Sequence, residues 1–299
     1  MAGYHIISDS SCDLPEETVR RHDITVVPFY VSFDGTTYKK ERVDIPVREF
    51  YDRMIEEKGV YPKSSLPSVQ DYIDVFEPVI RSGEDILCIC ITSKFSGSVQ
   101  SASNAKAILL EEYPDAKIEV IDAQMNTVLQ GLYVLEAVKM KEAGVSLKDC
   151  VSELLSIRES GRIFFTIGSI DYLRAGGRIG KLSGLAASVL GIKPIITLKE
   201  GEIFNSGVAR NRDRSLKKVI DLLKEYAAER KVTLKEYTMC IGFGFDYEEA
   251  LHFRDQIVRE FAGLFGAKDI PLYQIGAAIA VHTGPYPLGV GIIRRNRFR

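Results

Sequence analysis

Four short segments gather hydroxyls, glycines and cations: Lys63-Ser64-Ser65-Leu66-Pro67-Ser68, Ser93-Lys94-Phe95-Ser96-Gly97-Ser98, Arg174-Ala175-Gly176-Gly177-Arg178-Ile179 and His282-Thr283-Gly284-Pro285. Each supplies N–H or O–H donors, and such donors bond most strongly to an acceptor that is ionised. The chemistry they suggest is the grip of a carboxylate or phosphate. The chain therefore reads first as a binder of an acidic ligand.

The segments differ in how far they carry that reading. Ser93 to Ser98 joins an apolar run to a helical pattern, and a helix N-terminus offers free backbone N–H groups to an anion. Ser96 is the leading candidate there, with Gly97 and Ser98 beside it. The alternative is a Ser96 that only caps its own helix. A third reading pairs Ser96 as nucleophile with His282, although Phe95-Ser96-Gly97 lacks the first glycine of a nucleophile elbow.

Ser64 and Ser65 either face the ligand or form an exposed turn before a helix from Val69, with Ser68 as its cap. Arg174 to Lys181 carries three cations and three glycines in eight residues, a run that lets backbone approach a ligand closely. It does not fit a nucleotide-binding P-loop. Ser183 is expected to cap the helix that follows. Asp9-Ser10-Ser11-Cys12-Asp13-Leu14-Pro15 follows the first strand. There Asp13 reads as an N-cap with Pro15 in the first turn, or Asp9 and Ser10 organise a site at the strand's carboxyl end.

The elements that must position these residues follow from periodicity. Tyr4 to Ser8, Ile24 to Phe33, Ile86 to Ile91 and Ile118 to Ile121 predict strands, with helices between the later ones. Val99, Ala102, Ala105, Lys106 and Leu109 share a helical stripe. Asp34-Gly35 marks a tight turn, so the first sheet is not expected to be wholly parallel. Cys88 and Cys90, two apart, fall on one face of a strand buried on both sides.

A second set begins near residue 160. Arg162 to Ile167 predicts a strand, and Ile192 to Leu198 with Glu202 to Val208 predicts a hairpin about Glu200-Gly201. Leu216, Val219, Ile220, Leu223 and Ala227 form one helical stripe, and Ile257, Val258, Phe261 and Leu264 another. Strands at Thr238 to Phe243 and Gly289 to Ile293 complete an α+β unit. The expected architecture is α/β in two domains, 1–157 and 158–299, the second of α+β type.

Composition limits the function classes. The chain has 299 residues, 45% hydrophobic and 27% charged, with a net charge of -2. That balance gives no field for nucleic acid, and the only basic cluster, Arg294, Arg295, Arg297 and Arg299, reads as a solvated chain end. Five scattered cysteines form no disulfide framework and lack zinc-site spacing, which fits a reducing cytoplasm. No metal site is expected. The N-terminus lacks signal-peptide character, and no run approaches the ~18 apolar residues of a membrane span.

The ordered set of motifs resembles the DegV family of fatty-acid-binding proteins, the acyl-carrying component of bacterial fatty acid kinase. The resemblance is carried by Asp9-Ser10-Ser11-Cys12-Asp13-Leu14, Lys63 to Ser68, Ser96-Gly97-Ser98, Leu173 to Ile179, the segment around Arg210, and His282-Thr283-Gly284-Pro285. It spans nearly the whole chain. It implies two domains with a long-chain fatty acid buried between them, and a cytoplasmic protein in phospholipid synthesis.

The resemblance also implies roles. Ser64 and Ser96 match the hydroxyls that contact the fatty-acid carboxylate, with Arg210 and His282 beside it. Asp9, Ser10, Ser65, Gly97 and Ser98 belong to the supporting loops, and Arg174 and Arg178 to a basic rim that faces the partner. That partner is a kinase subunit with ATP and magnesium, which converts the presented carboxylate to an acyl phosphate; this chain supplies neither nucleophile nor cofactor. Two departures stand out. Serine replaces the family's usual threonine at Ser64, and Tyr286 follows Pro285 where the family has glycine. Against the carrier stand two alternatives: a serine hydrolase or acyltransferase using Ser96 and His282, and a binding module for another small acid.

Overall fold

The computed structural model describes residues 3–182, 191–233 and 235–298. Ser183, expected to cap a helix, lies outside them. A parallel sheet of order β2-β1-β6-β7 is built from β1 (Tyr4–Asp9), β2 (Ile24–Val27), β6 (Asp85–Cys90) and β7 (Ile118–Asp122). Every residue of β1 and all but the first of β6 are buried, as befits near-continuous apolar strands covered on both faces. Cys88 and Cys90 lie in this core with their sulfurs 3.6 Å apart.

Helices α1 (Glu16–Arg21), α3 (Val69–Arg81) and α4 (Ser98–Glu112) belong to this part. A small antiparallel sheet, β4-β3-β5, stands beside it: β3 (Tyr30–Ser32), β4 (Lys39–Lys40) and β5 (Lys63–Ser65), with α2 (Val47–Glu56) between the last two. The structure thus splits the single strand expected from Ile24 to Phe33 into two, belonging to different sheets. Pro28 has no N–H to continue a ladder, and the next amide, Phe29, donates to Ser10 Oγ at 2.8 Å instead. The turn at Asp34-Gly35 is present, wrapped around the Asp34 carboxylate, which accepts from the amides of Thr36 and Thr37.

A six-stranded sheet of order β10-β9-β8-β13-β11-β12 forms the remainder: β8 (Arg162–Thr166), β9 (Lys193–Lys199), β10 (Glu202–Ala209), β11 (Tyr237–Phe243), β12 (Leu272–Gln274) and β13 (Leu288–Arg294). The β9-β10 hairpin turns at Glu200-Gly201, both with positive φ, as expected from that pair. Its tip packs so closely on the other half that Gly201 has no room for a side chain beside Thr92, whose hydroxyl donates to the Gly201 carbonyl. Helices α8 (Arg212–Arg230) and α9 (Tyr247–Glu260) pack on this sheet through Leu216, Val219, Ile220, Leu223, Phe253 and Ile257. The helix α9 ends before Phe261 and Leu264, the last two of its expected stripe.

Four helices join the halves: α5 (Thr127–Glu142), α6 (Leu147–Arg158), the short α7 (Asp171–Ala175) and α10 (Ala277–Thr283). Twelve of the sixteen residues of α5 are buried. One apolar cluster runs from Ile6, Leu87 and Ile89 of the parallel sheet through Leu129, Leu132 and Tyr133 of α5 to Ile163, Leu198, Cys240 and Ile293 of the larger sheet. A helix apolar all round can be stable only in such a position.

Two local expectations are corrected. Asp13 does not cap α1: it closes a short 3-10 turn in left-handed conformation with φ 51°, and α1 begins after Pro15. Of the arginines expected to form a solvated chain end, Arg294, the last residue of β13, and Arg295 are half-buried rather than solvated, while Arg297 is exposed. Arg294 bonds Ser156, Arg295 donates to the Tyr237 carbonyl at 2.8 Å, and Arg297 pairs with Glu153 at 3.2 Å, while Arg299 lies outside the described residues.

Candidate functional site

Between the two halves lies a cavity of about 170 Å³, with Ser64, Ser65, Ser96, Arg178 and His282 in its wall. Apolar walls come from Phe29, Leu66, Ile91, Phe95, Phe165, Leu173, Ile203 and Ile279. A smaller space of about 40 Å³ continues it, sharing Asn126, Phe165, Ile279 and Thr283 and lined further on by Val128, Ile163, Ile275 and Leu288. The whole is a slot walled mainly by hydrocarbon, with Asn126, Thr127 and Thr283 as the polar side chains of its extension.

Each polar group is delivered by a different element. Ser64 sits on β5 opposite Val31 of β3, so strand pairing rather than an exposed turn fixes it. Ser68 then caps α3, accepting from the Asp71 amide in a reciprocal capping box. Ser96 precedes α4, where Gly97 holds the N-cap position, and its hydroxyl accepts from the Ser98 amide at 3.2 Å. His282 lies in the last turn of α10, the helix held at its start by two buried carboxylates. Glu41 accepts from the Ala278 amide at 2.8 Å, and the Asp13 carboxyl stands against Gly276. Burial pushes the Asp13 carboxyl up to about 8, against the pull of Arg42 at 3.6 Å and with the push of Glu41.

Behind the hydroxyls stands Asp9, fully buried. It accepts from Ser11 and Ser98 at 2.6 Å each, from Gln130 at 2.8 Å and from the Ile91 amide at 2.9 Å. Burial raises its pKa while those four donors oppose the rise. Ser10 bonds Glu41 and does not line the cavity; its neighbour Ser11 does.

His282 decides the polarity of the end wall. Its Nε2 is 3.1 Å from Ser64 Oγ, and its Nδ1 is buried without a partner among the described residues. Burial, aided by the Arg178 charge, lowers its pKa to about 4, so the ring is neutral at physiological pH. An unpaired buried lone pair is cheaper than an unpaired N–H, which assigns the proton to Nε2. Ser64 Oγ then accepts from the imidazole and has its own hydrogen free for an anion in the cavity. Gly176 packs against the ring, where a side chain would collide with it.

The arrangement does not assemble the hydrolase constellation: the imidazole bonds Ser64 and not Ser96, and its Nδ1 meets no carboxylate. Arg178 donates to the carbonyls of Phe95 and Gly176 at the cavity wall. Arg174 is half exposed, 3.2 Å from Asp171, and is not in the wall. Arg210, expected beside the carboxylate, is exposed after β10 and is not brought to Ser64, Ser96 and His282. Asn126 and the apolar wall were missed from sequence. Asn126 carries a visible signal, an N-cap residue type before an apolar run, but that signal speaks of a helix start and not of a cavity. Among the described residues, no group of three or more His, Cys, Asp or Glu side chains could hold a metal, and no helix is long and apolar enough to cross a membrane.

Residues 4–295 match the family described as "Uncharacterised protein, DegV family". A DegV domain-containing protein of Caldanaerobacter subterraneus is 32% identical over 95% of this chain and 96% of its own. A stearic acid-binding protein of Eubacterium ventriosum is 44% identical, with a TM-score of 0.92 over 98% of both chains. A DegV family protein of Thermus thermophilus, described by its fatty acid binding, is 28% identical, with a TM-score of 0.86 over 98% of this chain and 99% of its own.

Proposed function

The chain belongs to the DegV family, and from that membership we propose that it binds a long-chain fatty acid in the slot and presents its carboxylate to a partner ATP-dependent kinase, which forms the acyl phosphate. The single observation that carries the lipid reading is the join of a polar group, at Ser64, Ser96 and His282, to a cavity walled mainly by hydrocarbon. The similar protein of Eubacterium ventriosum, described as binding stearic acid, supports the same class of ligand.

Affinity and orientation have separate sources. Each buried methylene is worth about 0.8 kcal/mol, so the tail supplies the binding energy. Ser64 and Ser96 donate to the carboxylate and set where it sits. Neutral His282 keeps Ser64 turned outward as a donor. Arg178, in the wall, and Arg174, outside it, are assigned to steady the charge that grows as the acyl phosphate forms. The chain supplies no nucleophile; ATP and magnesium belong to the partner, and the setting is the cytoplasm.

Native mass spectrometry of the freshly purified protein tests the lipid step: a bound fatty-acid mass, weakened by Ser64→Ala and Ser96→Ala, is expected. An empty protein that hydrolyses acyl esters unaided and labels with a fluorophosphonate would replace this reading with the hydrolase. For the kinase step, an Arg174→Ala, Arg178→Ala double variant should keep its lipid and slow acyl-phosphate formation with the partner. Unchanged turnover would remove both arginines from that role.

A further inference from the structure

Three polar side chains line the apolar extension of the cavity: Asn126, Thr127 and Thr283. Two are satisfied. Thr127 Oγ1 donates to Asp13 at 2.6 Å, and Thr283 Oγ1 donates to the Ile279 carbonyl at 3.2 Å. The Oδ1 of Asn126 is buried and has no hydrogen-bond partner among the described residues.

The position makes that orphan unusual. Asn126 is the N-cap of α5 in extended backbone, with φ -147° and ψ 177°, where an asparagine ordinarily bonds a first-turn amide of its own helix. Here it makes no such bond. Its carboxamide instead stands in the wall common to the cavity and the extension. Exchanging the amide oxygen and nitrogen does not remove the problem, since one of them is orphaned either way. A buried polar group without a partner is costly to keep.

We infer that Asn126 is a recognition point for a hydroxyl carried along the acyl chain, so that the ligand class includes hydroxylated long-chain fatty acids. The inference rests on the fatty-acid reading above and names a feature of the ligand that reading leaves open. A carboxamide presents one acceptor and N–H donors, and a hydroxyl, which both donates and accepts, can pair with both. A ketone would accept only and leave Oδ1 unpaired; a carbon–carbon double bond would pair with neither. With the carboxylate at Ser64, Ser96 and His282, Asn126 stands where the cavity passes into its extension, so the hydroxyl falls between the head group and the terminal methyl.

The test is a competition on the delipidated full-length protein, offered stearic acid together with each positional isomer of hydroxystearic acid in turn, and read by native mass spectrometry. Wild type is expected to favour at least one interior isomer over stearic acid by about tenfold or more. Asn126→Leu and Asn126→Ala are expected to lose that preference, read as the ratio of hydroxystearic to stearic acid bound. The two differ in size, and their melting temperatures before loading show whether each is folded. The inference is overturned if stearic acid outcompetes every isomer, or if the preference survives in both variants, which lack the carboxamide. Stearic acid binding without any gain from a hydroxyl sinks this inference alone. Failure of every acid to bind wild type sinks the fatty-acid reading and this inference with it.

Discussion

Ser64 and His282 show how one hydrogen bond sets the character of the cavity's end. With the imidazole neutral and donating, Ser64 offers its hydrogen to a ligand, and replacing it by alanine should weaken fatty-acid binding by roughly 1 kcal/mol, several-fold in Kd. Titration of bound lipid measures it. The same imidazole carries a pH signature. Its folded pKa of about 4 lies below its ordinary 6.5, so the unfolded chain takes up a proton that the folded chain refuses. The stability tied to His282 is complete above about 6.5 and is lost as pH falls toward 4. Urea unfolding of wild type and His282→Gln at pH 7 and pH 5 should show the wild type losing more. Asp13 acts in the opposite direction: raised to about 8, its carboxyl holds a proton in the fold, and its contribution to stability falls as pH rises from about 4 to 8. Asp13→Asn should flatten that slope. Hydroxyl and glycine runs made Ser64, Ser96, Arg178 and His282 legible in sequence, because chemistry that needs donors shows in residue types. Arg210 was chosen by position in a family motif; it stands exposed after β10 and is not among the described residues that line the cavity.

At the level of elements, α5 tests how tightly the two halves are joined. Gly131 lies in this helix against the Cys12 carbonyl and Leu14, where a methyl has no space. Gly131→Ala should destabilise by about 1–3 kcal/mol despite the better helix propensity of alanine; thermal melting checks the sign. Ser68→Ala, which removes the α3 capping box, should cost about 1 kcal/mol and leave lipid binding intact. Strands β1, β6, β7 and β8 and the β9-β10 hairpin were legible because their apolar runs are bounded by turn residues. The helix α5 was not, since burial on all sides erases the stripe by which an amphipathic helix is recognised. The break between β2 and β3 hung on one proline, Pro28, inside an otherwise continuous strand pattern.

The molecule as a whole has three sheets, and one apolar cluster spans the two larger ones. The apolar cluster that runs through α5 predicts a single cooperative unfolding transition, with circular dichroism and tyrosine fluorescence melting together. Two separated transitions would instead favour independently folding halves; the division after residue 157 remains a proposal that limited proteolysis can probe. The fold class was readable from the alternation of elements, whereas the strand order β10-β9-β8-β13-β11-β12 was not, because it is set by contacts far apart in sequence.

Phe95 lines the cavity beside Ser96, and its carbonyl accepts from Arg178. The chain contains no tryptophan. A single indole placed there by Phe95→Trp would be the only one in the protein, excited at wavelengths longer than its tyrosines absorb. Its spectrum would shift to the blue as an acyl chain replaced water around it, turning ligand entry into an optical signal that stopped-flow mixing can follow in real time.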